Sequence, residues 1–160
     1  MPVRDLMHIA MGMYGMLIVD PKDGRTDARE FSLVQSEIYR NMDMQAMTAG
    51  RAAAVVFNGR ADQYKENPLT VRVGEPVRLY VVNAGPDHFS AFHVVGTIFD
   101  RVEPDGNPKN AQYGVSTYTL APGGGAVFET HFDEPGKYPF VTHSFGDATL
   151  GAVGVIEVTP

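Results

Sequence analysis

Five histidines are the side chains of this sequence best suited to binding a metal ion or moving a proton: His8, His88, His93, His131 and His143. The 160-residue chain has no cysteine, which excludes disulfides, thiolate catalysis, Cys-ligated zinc and iron–sulfur clusters made from these residues. It also lacks a Ser-His-Asp signature, an HExxH motif and a phosphate loop. The chemistry open to it therefore depends on imidazole, with methionine thioether as a second ligand type.

The first candidate site is the segment from Met7 to Met16. An imidazole at His8 and a thioether at Met13, five positions on in a glycine-bearing loop, are typical of a soft metal held where a loop enters a strand. Copper accepts imidazole and thioether together, whereas zinc seldom uses thioether. The alternative is that methionines here fill the core, and we favour it for Met7, Met11 and Met16.

The second and third candidates lie on apolar strands. His93 is flanked by Phe92 and Val94, so we expect it to be partly buried, and a lone strand histidine is more often structural than catalytic. His143 stands at the end of an apolar strand, before a loop that returns into the last strand. That position often carries metal ligands in Greek-key sandwiches. His88 and His131 are interpreted as solvent-facing.

The elements that must position these residues are strands. Glycine (17) and proline (11) separate short runs rich in Val, Tyr, Phe and Thr, a pattern typical of an all-β sandwich. One short helix is predicted over Asp43–Thr48, ended by Gly50. The predicted strands are Gly15–Val19, Phe31–Tyr39, Ala53–Phe57, Leu69–Val73, Pro76–Asn83, Ser90–Val95, Thr97–Val102, Ser116–Leu120, Ala126–His131, Gly136–Val141 and Ala152–Val158.

The chain divides unevenly. Residues 31–160 are long enough for one sandwich domain, and residues 1–30 hold one predicted strand and a turn-rich linker. A lone strand cannot form a domain because its edges and apolar face have no partner. It must pair with the sandwich, with another chain or with a further domain.

Composition excludes several partners. The net charge is −6 and the sequence contains no basic run, which argues against nucleic acid or an anionic membrane. The longest apolar stretch, Ile9 to Val19, is shorter than the roughly 20 residues that span a bilayer. No signal peptide is predicted, because Asp5 and His8 interrupt the apolar region and no small-residue cleavage site follows Val19.

Taken together, these segments resemble the copper-containing nitrite reductases, close relatives of the two-domain multicopper oxidases. The run His8–Val19 resembles the last strand of their first cupredoxin domain. Segments from Val56 to Ala152 resemble their second domain in order, most specifically from Gly85 to Val102. The resemblance implies a cupredoxin-like Greek-key β-sandwich with an extra N-terminal strand. It also implies a homotrimer, a periplasmic or other extracytoplasmic location and a small redox protein as electron donor.

The resemblance also implies roles for four residues. His8 and Met13 fall on the blue-copper histidine and its axial methionine. His93 falls on the active-site histidine that helps to protonate nitrite, and His143 on the ligand offered to a neighbouring subunit's catalytic copper. An oxidase would instead need His-x-His pairs in these strands, and the sequence has none.

The departure from the family pattern is large. A blue copper site needs two histidines and a thiolate with a weak methionine, and the chain offers only His8 and Met13. We therefore expect a fragment or truncated relative of a nitrite reductase that lacks the first cupredoxin domain, binds copper weakly or partially, and is inactive alone. The alternatives are a structural or oligomeric sandwich without catalysis, and a Cu(I)-binding protein that uses its Met-rich segments.

Overall fold

The computed structural model describes residues 3–40 and 43–160. Within them the chain forms eleven strands in two sheets. The strands are β1 (Arg29–Ile38), β2 (Ala54–Phe57), β3 (Asn67–Arg72), β4 (Val77–Asn83), β5 (Ser90–Val94), β6 (Phe99–Pro104), β7 (Gln112–Val115), β8 (Thr117–Leu120), β9 (Gly125–Thr130), β10 (Gly136–Thr142) and β11 (Val153–Thr159).

The two sheets pack face to face as a sandwich. One has the strand order β2-β1-β4-β9-β6-β7 and the other β3-β11-β10-β5-β8. The pairs β1–β4 and β3–β11 are parallel, and the remaining pairs are antiparallel. This confirms the all-β class predicted from the sequence.

Aromatic rings fill the space between the sheets. Phe92 of β5 is fully buried, with its ring centroid 4.9 Å from Phe128 and 6.3 Å from Phe140. Because side chains alternate along a strand, burial of Phe92 and Val94 turns their neighbours Ala91 and His93 to the outer face. The core thus determines which histidines can meet solvent or another chain.

Helical structure is confined to short pieces. These are α1 (Val3–Ala10), α2 (Met44–Thr48), α3 (Gln63–Glu66), a 3-10 turn (Pro108–Asn110) and α4 (Phe145–Thr149). The predicted helix at Asp43–Thr48 is confirmed as α2, and Asp43 caps it by accepting a 3.0 Å hydrogen bond from the backbone N–H of Ala46. No helix among the described residues is long and apolar enough to cross a membrane.

The structure does not reproduce the predicted N-terminal strand, and the prediction of a single short helix is also wrong, because α1, α3 and α4 form as well. Residues 13–20 follow α1 and form neither a strand nor a helix. Met16 to Val19 cross the outer face of the six-stranded sheet, beside Tyr80–Val82 of β4. Lying on a face rather than along an edge, this segment has no strand to pair with. Its division from the sandwich, as residues 1–30 against 31–160, stays a prediction.

The other ten predicted strands are confirmed, with ends shifted by at most two residues. β7 was not predicted. Its sequence, Gln-Tyr-Gly-Val, is short and carries a glycine at positive φ, a composition that sequence patterns do not separate from a loop.

Candidate metal and proton-transfer site

His93 and His143 form a pair on the outer face of the five-stranded sheet. Val141 of β10 stands opposite His93 of β5, and the backbone N–H of His143 donates a 2.7 Å hydrogen bond to the carbonyl of Ala91. His143 is therefore the diagonal neighbour of His93 on the same face. Their ring centroids are 5.4 Å apart, with 52° between the ring planes.

The His93 ring has a defined orientation. Its Nδ1 lies 2.6 Å from the carbonyl oxygen of Ser116 and 3.2 Å from the hydroxyl of Thr117, the residue opposite it on β8. A carbonyl oxygen can only accept, so Nδ1 carries the hydrogen that is donated to it. Nε2 is left to exchange a proton with another group. The side chain is half-buried, as the sequence predicted.

The His143 ring is presented to solvent. The residue is exposed, and its ring packs against the Phe145 ring at a centroid distance of 5.1 Å, with 63° between the ring planes. No described residue hydrogen-bonds to its side chain. It borders an open depression that Ala91 and Thr119 also line. An exposed imidazole without a partner is suited to ligate a metal held largely by other groups.

The described residues do not complete a metal site by themselves. Among the side chains that the structure describes, those of residues 7–40 and 43–160, no three His, Asp or Glu lie close enough together to hold an ion. His143 fits copper as a single imidazole ligand, and the orientation of His93 fits a proton donor beside it. A metal bound at His143 would need its remaining ligands from other groups.

The structure keeps His8 and Met13 apart from this pair. His8 lies in the last turn of α1, and its carbonyl accepts a 2.9 Å hydrogen bond from the backbone N–H of Met13. The His8 side chain is exposed, and Met13 is 68% exposed. The loop between them borders the end of β1 in the six-stranded sheet, at Glu37 and Ile38, whereas His93 lies on β5 and His143 follows β10 of the other sheet.

His88 is not solvent-facing, contrary to the sequence interpretation. Its side chain is 22% exposed, and the Asp147 carboxylate and the Gly50 carbonyl lie 2.6 and 2.7 Å from its two ring nitrogens. Burial opposes the charged ring, but the hydrogen bonds to Gly50 and Asp147 outweigh it and raise the pKa of His88. Sequence reasoning missed this cluster because Asp147 is 59 positions away and no local pattern links the two residues.

His131 is exposed, as predicted. It pairs with Asp100 at 2.8 Å, and this pairing raises its pKa. With 48% of its side chain exposed, the ion pair adds little to stability.

Comparison with known proteins extends the resemblance seen in the sequence. Residues 28–156 match the family model described as multicopper oxidase. A copper-containing nitrite reductase from Neisseria gonorrhoeae is 39% identical over 165 residues, which cover 95% of this chain and 42% of that protein. The chain thus spans about two fifths of the length of these curated relatives.

Solved structures agree. The copper nitrite reductase from Nitrosomonas europaea superposes with a TM-score of 0.92 and 41% identity, covering 96% of this chain and 58% of that one. The copper-containing nitrite reductase from Thermus scotoductus gives a TM-score of 0.88 and 35% identity, over 96% of this chain and 39% of that one. The cupredoxin-like fold and the resemblance to nitrite reductases are confirmed, and the chain belongs to the multicopper oxidase family.

Proposed function

We propose that this chain forms one half of a copper-dependent nitrite reductase, in which His143 ligates the catalytic copper and His93 donates a proton to nitrite. The supporting observation is the placement of the two imidazoles. Their ring centroids lie 5.4 Å apart on an open sheet face. His143 has no side-chain hydrogen-bond partner among the described residues, whereas the Ser116 carbonyl orients the His93 ring.

In the proposed reaction, nitrite takes one electron and two protons and yields nitric oxide and water. Copper, when bound, would supply a Lewis acid for a nitrite oxygen and deliver the electron. Because the Ser116 carbonyl keeps a hydrogen on Nδ1, the proton that His93 takes up and donates would be the one on Nε2. His93 would donate it to the oxygen that leaves as water. A second proton would reach that oxygen from solvent through the open depression.

His143 would serve a neighbouring subunit rather than its own. Its ring points outward from the end of β10, and the described residues add no further ligand. A cysteine-bearing cupredoxin domain would supply the other copper ligands and, with His8 and Met13, the electron-relay copper. A head-to-tail ring of three such units would give every site one His143. Such an enzyme would work outside the cytoplasm with a small redox protein as donor.

The test is reconstitution. Combining this chain with a cysteine-bearing cupredoxin domain of a related nitrite reductase, loading the assembly with copper and supplying a reductant should give nitrite-dependent nitric oxide. His143→Ala should abolish production. His131→Ala, which alters an exposed histidine just after β9 of the other sheet, should leave it unchanged. Equal rates with His143→Ala and the unaltered chain would refute the proposal.

A second candidate function rests on the exposed thioethers. Met11 and Met13 are 57% and 68% exposed, so the prediction that Met11 fills the core is wrong. Thioether is a soft ligand suited to Cu(I). A Cu(I)-binding protein would bind the ion tightly without any partner domain and lose it on Met11→Ser and Met13→Ser substitution. Cu(I) titration of the chain alone separates this function from the reductase.

A further inference from the structure

We propose that His88 and Asp147 are positioning residues, which hold α4 against the sandwich and thereby fix the ring of His143. The catalytic meaning of this inference rests on the proposed function. The structural part, that His88 and Asp147 hold α4 and thereby the His143 ring, does not depend on the proposed function.

Both nitrogens of the His88 ring face acceptors. Asp147 Oδ1 lies 2.6 Å from Nδ1, and the carbonyl oxygen of Gly50 lies 2.7 Å from Nε2. The carbonyl cannot donate, so Nε2 must, and an ionised Asp147 requires Nδ1 to donate as well. The ring then bridges the loop after α2 and helix α4 with two charge-assisted hydrogen bonds, which are stronger than neutral ones.

Glu37, at the end of β1, holds the backbone that carries the His88 ring. Its carboxylate is 3% exposed and accepts hydrogen bonds from the backbone N–H groups of Asp87 and His88, at 2.8 and 2.6 Å. The Tyr39 hydroxyl donates to its second oxygen, which lies 4.0 Å from His88 Nε2. The charged groups that face the His88 ring are therefore Asp147 and Glu37, with Asp87 next to it in the chain, and all favour a cationic ring.

Helix α4 has few other means of attachment. It is five residues long, and its N-cap Ser144 makes no side-chain capping bond. Asp147 is its one buried residue, at 6% exposure, whereas Phe145 is 72% exposed. Backbone bonds flank the helix, such as Val55 N–H to the Leu150 carbonyl at 3.3 Å. Among the described residues, the bond from Asp147 to His88 is the one side-chain hydrogen bond that joins α4 to the sandwich.

The link reaches His143 through Phe145. The His143 and Phe145 rings pack against each other at a centroid distance of 5.1 Å, and Phe145 lies between His143 and Asp147 in the chain. Without the hydrogen bond between Asp147 and His88, residues 144–149 would be free to move, and the Phe145 ring that packs against His143 would move with them. The 5.4 Å spacing to His93 would then no longer be maintained.

The experiment measures ring proximity in the full chain by NMR, through nuclear Overhauser cross-peaks from the His143 ring to the His93 and Phe145 rings. His88→Leu and Asp147→Ser should abolish these cross-peaks. Asp147→Asn should retain them, because the amide can donate to a neutral His88 ring that still donates to Gly50. His131→Leu, which breaks the exposed pair with Asp100, is the matched control and should change nothing.

A purely structural role would lower the melting temperature in His88→Leu and Asp147→Ser while the cross-peaks persisted, and that result would overturn the proposal. Loss of the cross-peaks in Asp147→Asn to the same extent as in Asp147→Ser would also overturn it. If His88→Leu does not fold, the comparison of Asp147→Ser with Asp147→Asn decides alone. In the reconstituted enzyme, Asp147→Ser should also lose nitrite-reducing activity. If His143→Ala did not lower that activity, the result would contradict the proposed function and not the positioning role of His88 and Asp147.

Discussion

Gly154 of β11 is a point where one methyl group should disturb the sheet that carries the histidine pair. It stands opposite Phe140 of β10, and a Cβ at this position would overlap the Phe140 ring and lie 2.6 Å from the Cβ of Tyr64. The Phe140 ring is fully buried and packs against Phe57 at a centroid distance of 5.3 Å. The ring therefore has no room to retreat.

We expect Gly154→Ala to destabilise the chain by about 2–3 kcal/mol, within the usual cost of overpacking a core. For a domain of this size that corresponds to a fall in melting temperature of roughly 4–12 °C. Circular dichroism during heating and urea titration would measure both quantities. Because Phe140 lies three residues before His143 and pairs with Val94 next to His93, the NMR signals of both histidine rings should shift as well.

Gly136→Ala is the matched control on β10. A Cβ there would have its nearest neighbour, Tyr138, at 3.6 Å, which is ordinary contact. Reduced entropy of the unfolded chain should make this variant neutral or more stable by about 0.4–1 kcal/mol. If Gly154→Ala were as stable as the Gly136→Ala control, the β10–β11 register and the packing derived from it would be wrong.

Three further predictions concern the histidines. The pKa of His88 is raised in the folded chain. The ring therefore contributes its full stabilisation at pH values below the ordinary histidine pKa of about 6.5, and this contribution declines as pH rises through the folded pKa. Urea titrations at several pH values should show that His88→Asn flattens the decline. In neutral His93, ¹⁵N NMR should show the hydrogen on Nδ1, and a hydrogen on Nε2 would contradict the bond to Ser116. Copper(II) titration of this chain alone should show weak binding without intense blue absorption, because His143 is a lone imidazole and the sequence has no cysteine thiolate. A strong blue band would contradict the expected weak binding.

The sandwich was predictable because its strands carry alternating apolar residues and are separated by explicit turns. Leu69-Thr70-Val71-Arg72 alternates between the core and solvent as the sequence indicates. The segment Gly15–Val19 has a strand-like composition but crosses the face of a sheet, and local sequence does not record whether a partner edge is present. The same limit explains the extra helices α1, α3 and α4 and the unpredicted strand β7.

The candidate site was predictable in part. Resemblance singled out His93 and His143, and the structure places them together through the β5–β10 register. His88 was misjudged because burial of a turn residue depends on distant contacts, here with Asp147 and with the backbone carbonyl of Gly50. The orientation of the His93 ring likewise depends on Ser116, 23 positions away. Such contacts follow from the tertiary fold and leave no periodic signal in the chain.

Subunit mixing would test whether His143 completes a copper site in a neighbouring subunit. Two inactive reconstituted variants would be unfolded and reassembled together, one carrying His143→Ala and the other lacking the copper-binding histidines of its cysteine-bearing domain. In a head-to-tail ring, random mixing in equal amounts should restore about one quarter of the unaltered nitrite-reducing activity, because each working site draws its intact parts from two different subunits. Mixed assemblies no more active than either parent would contradict a site shared between subunits.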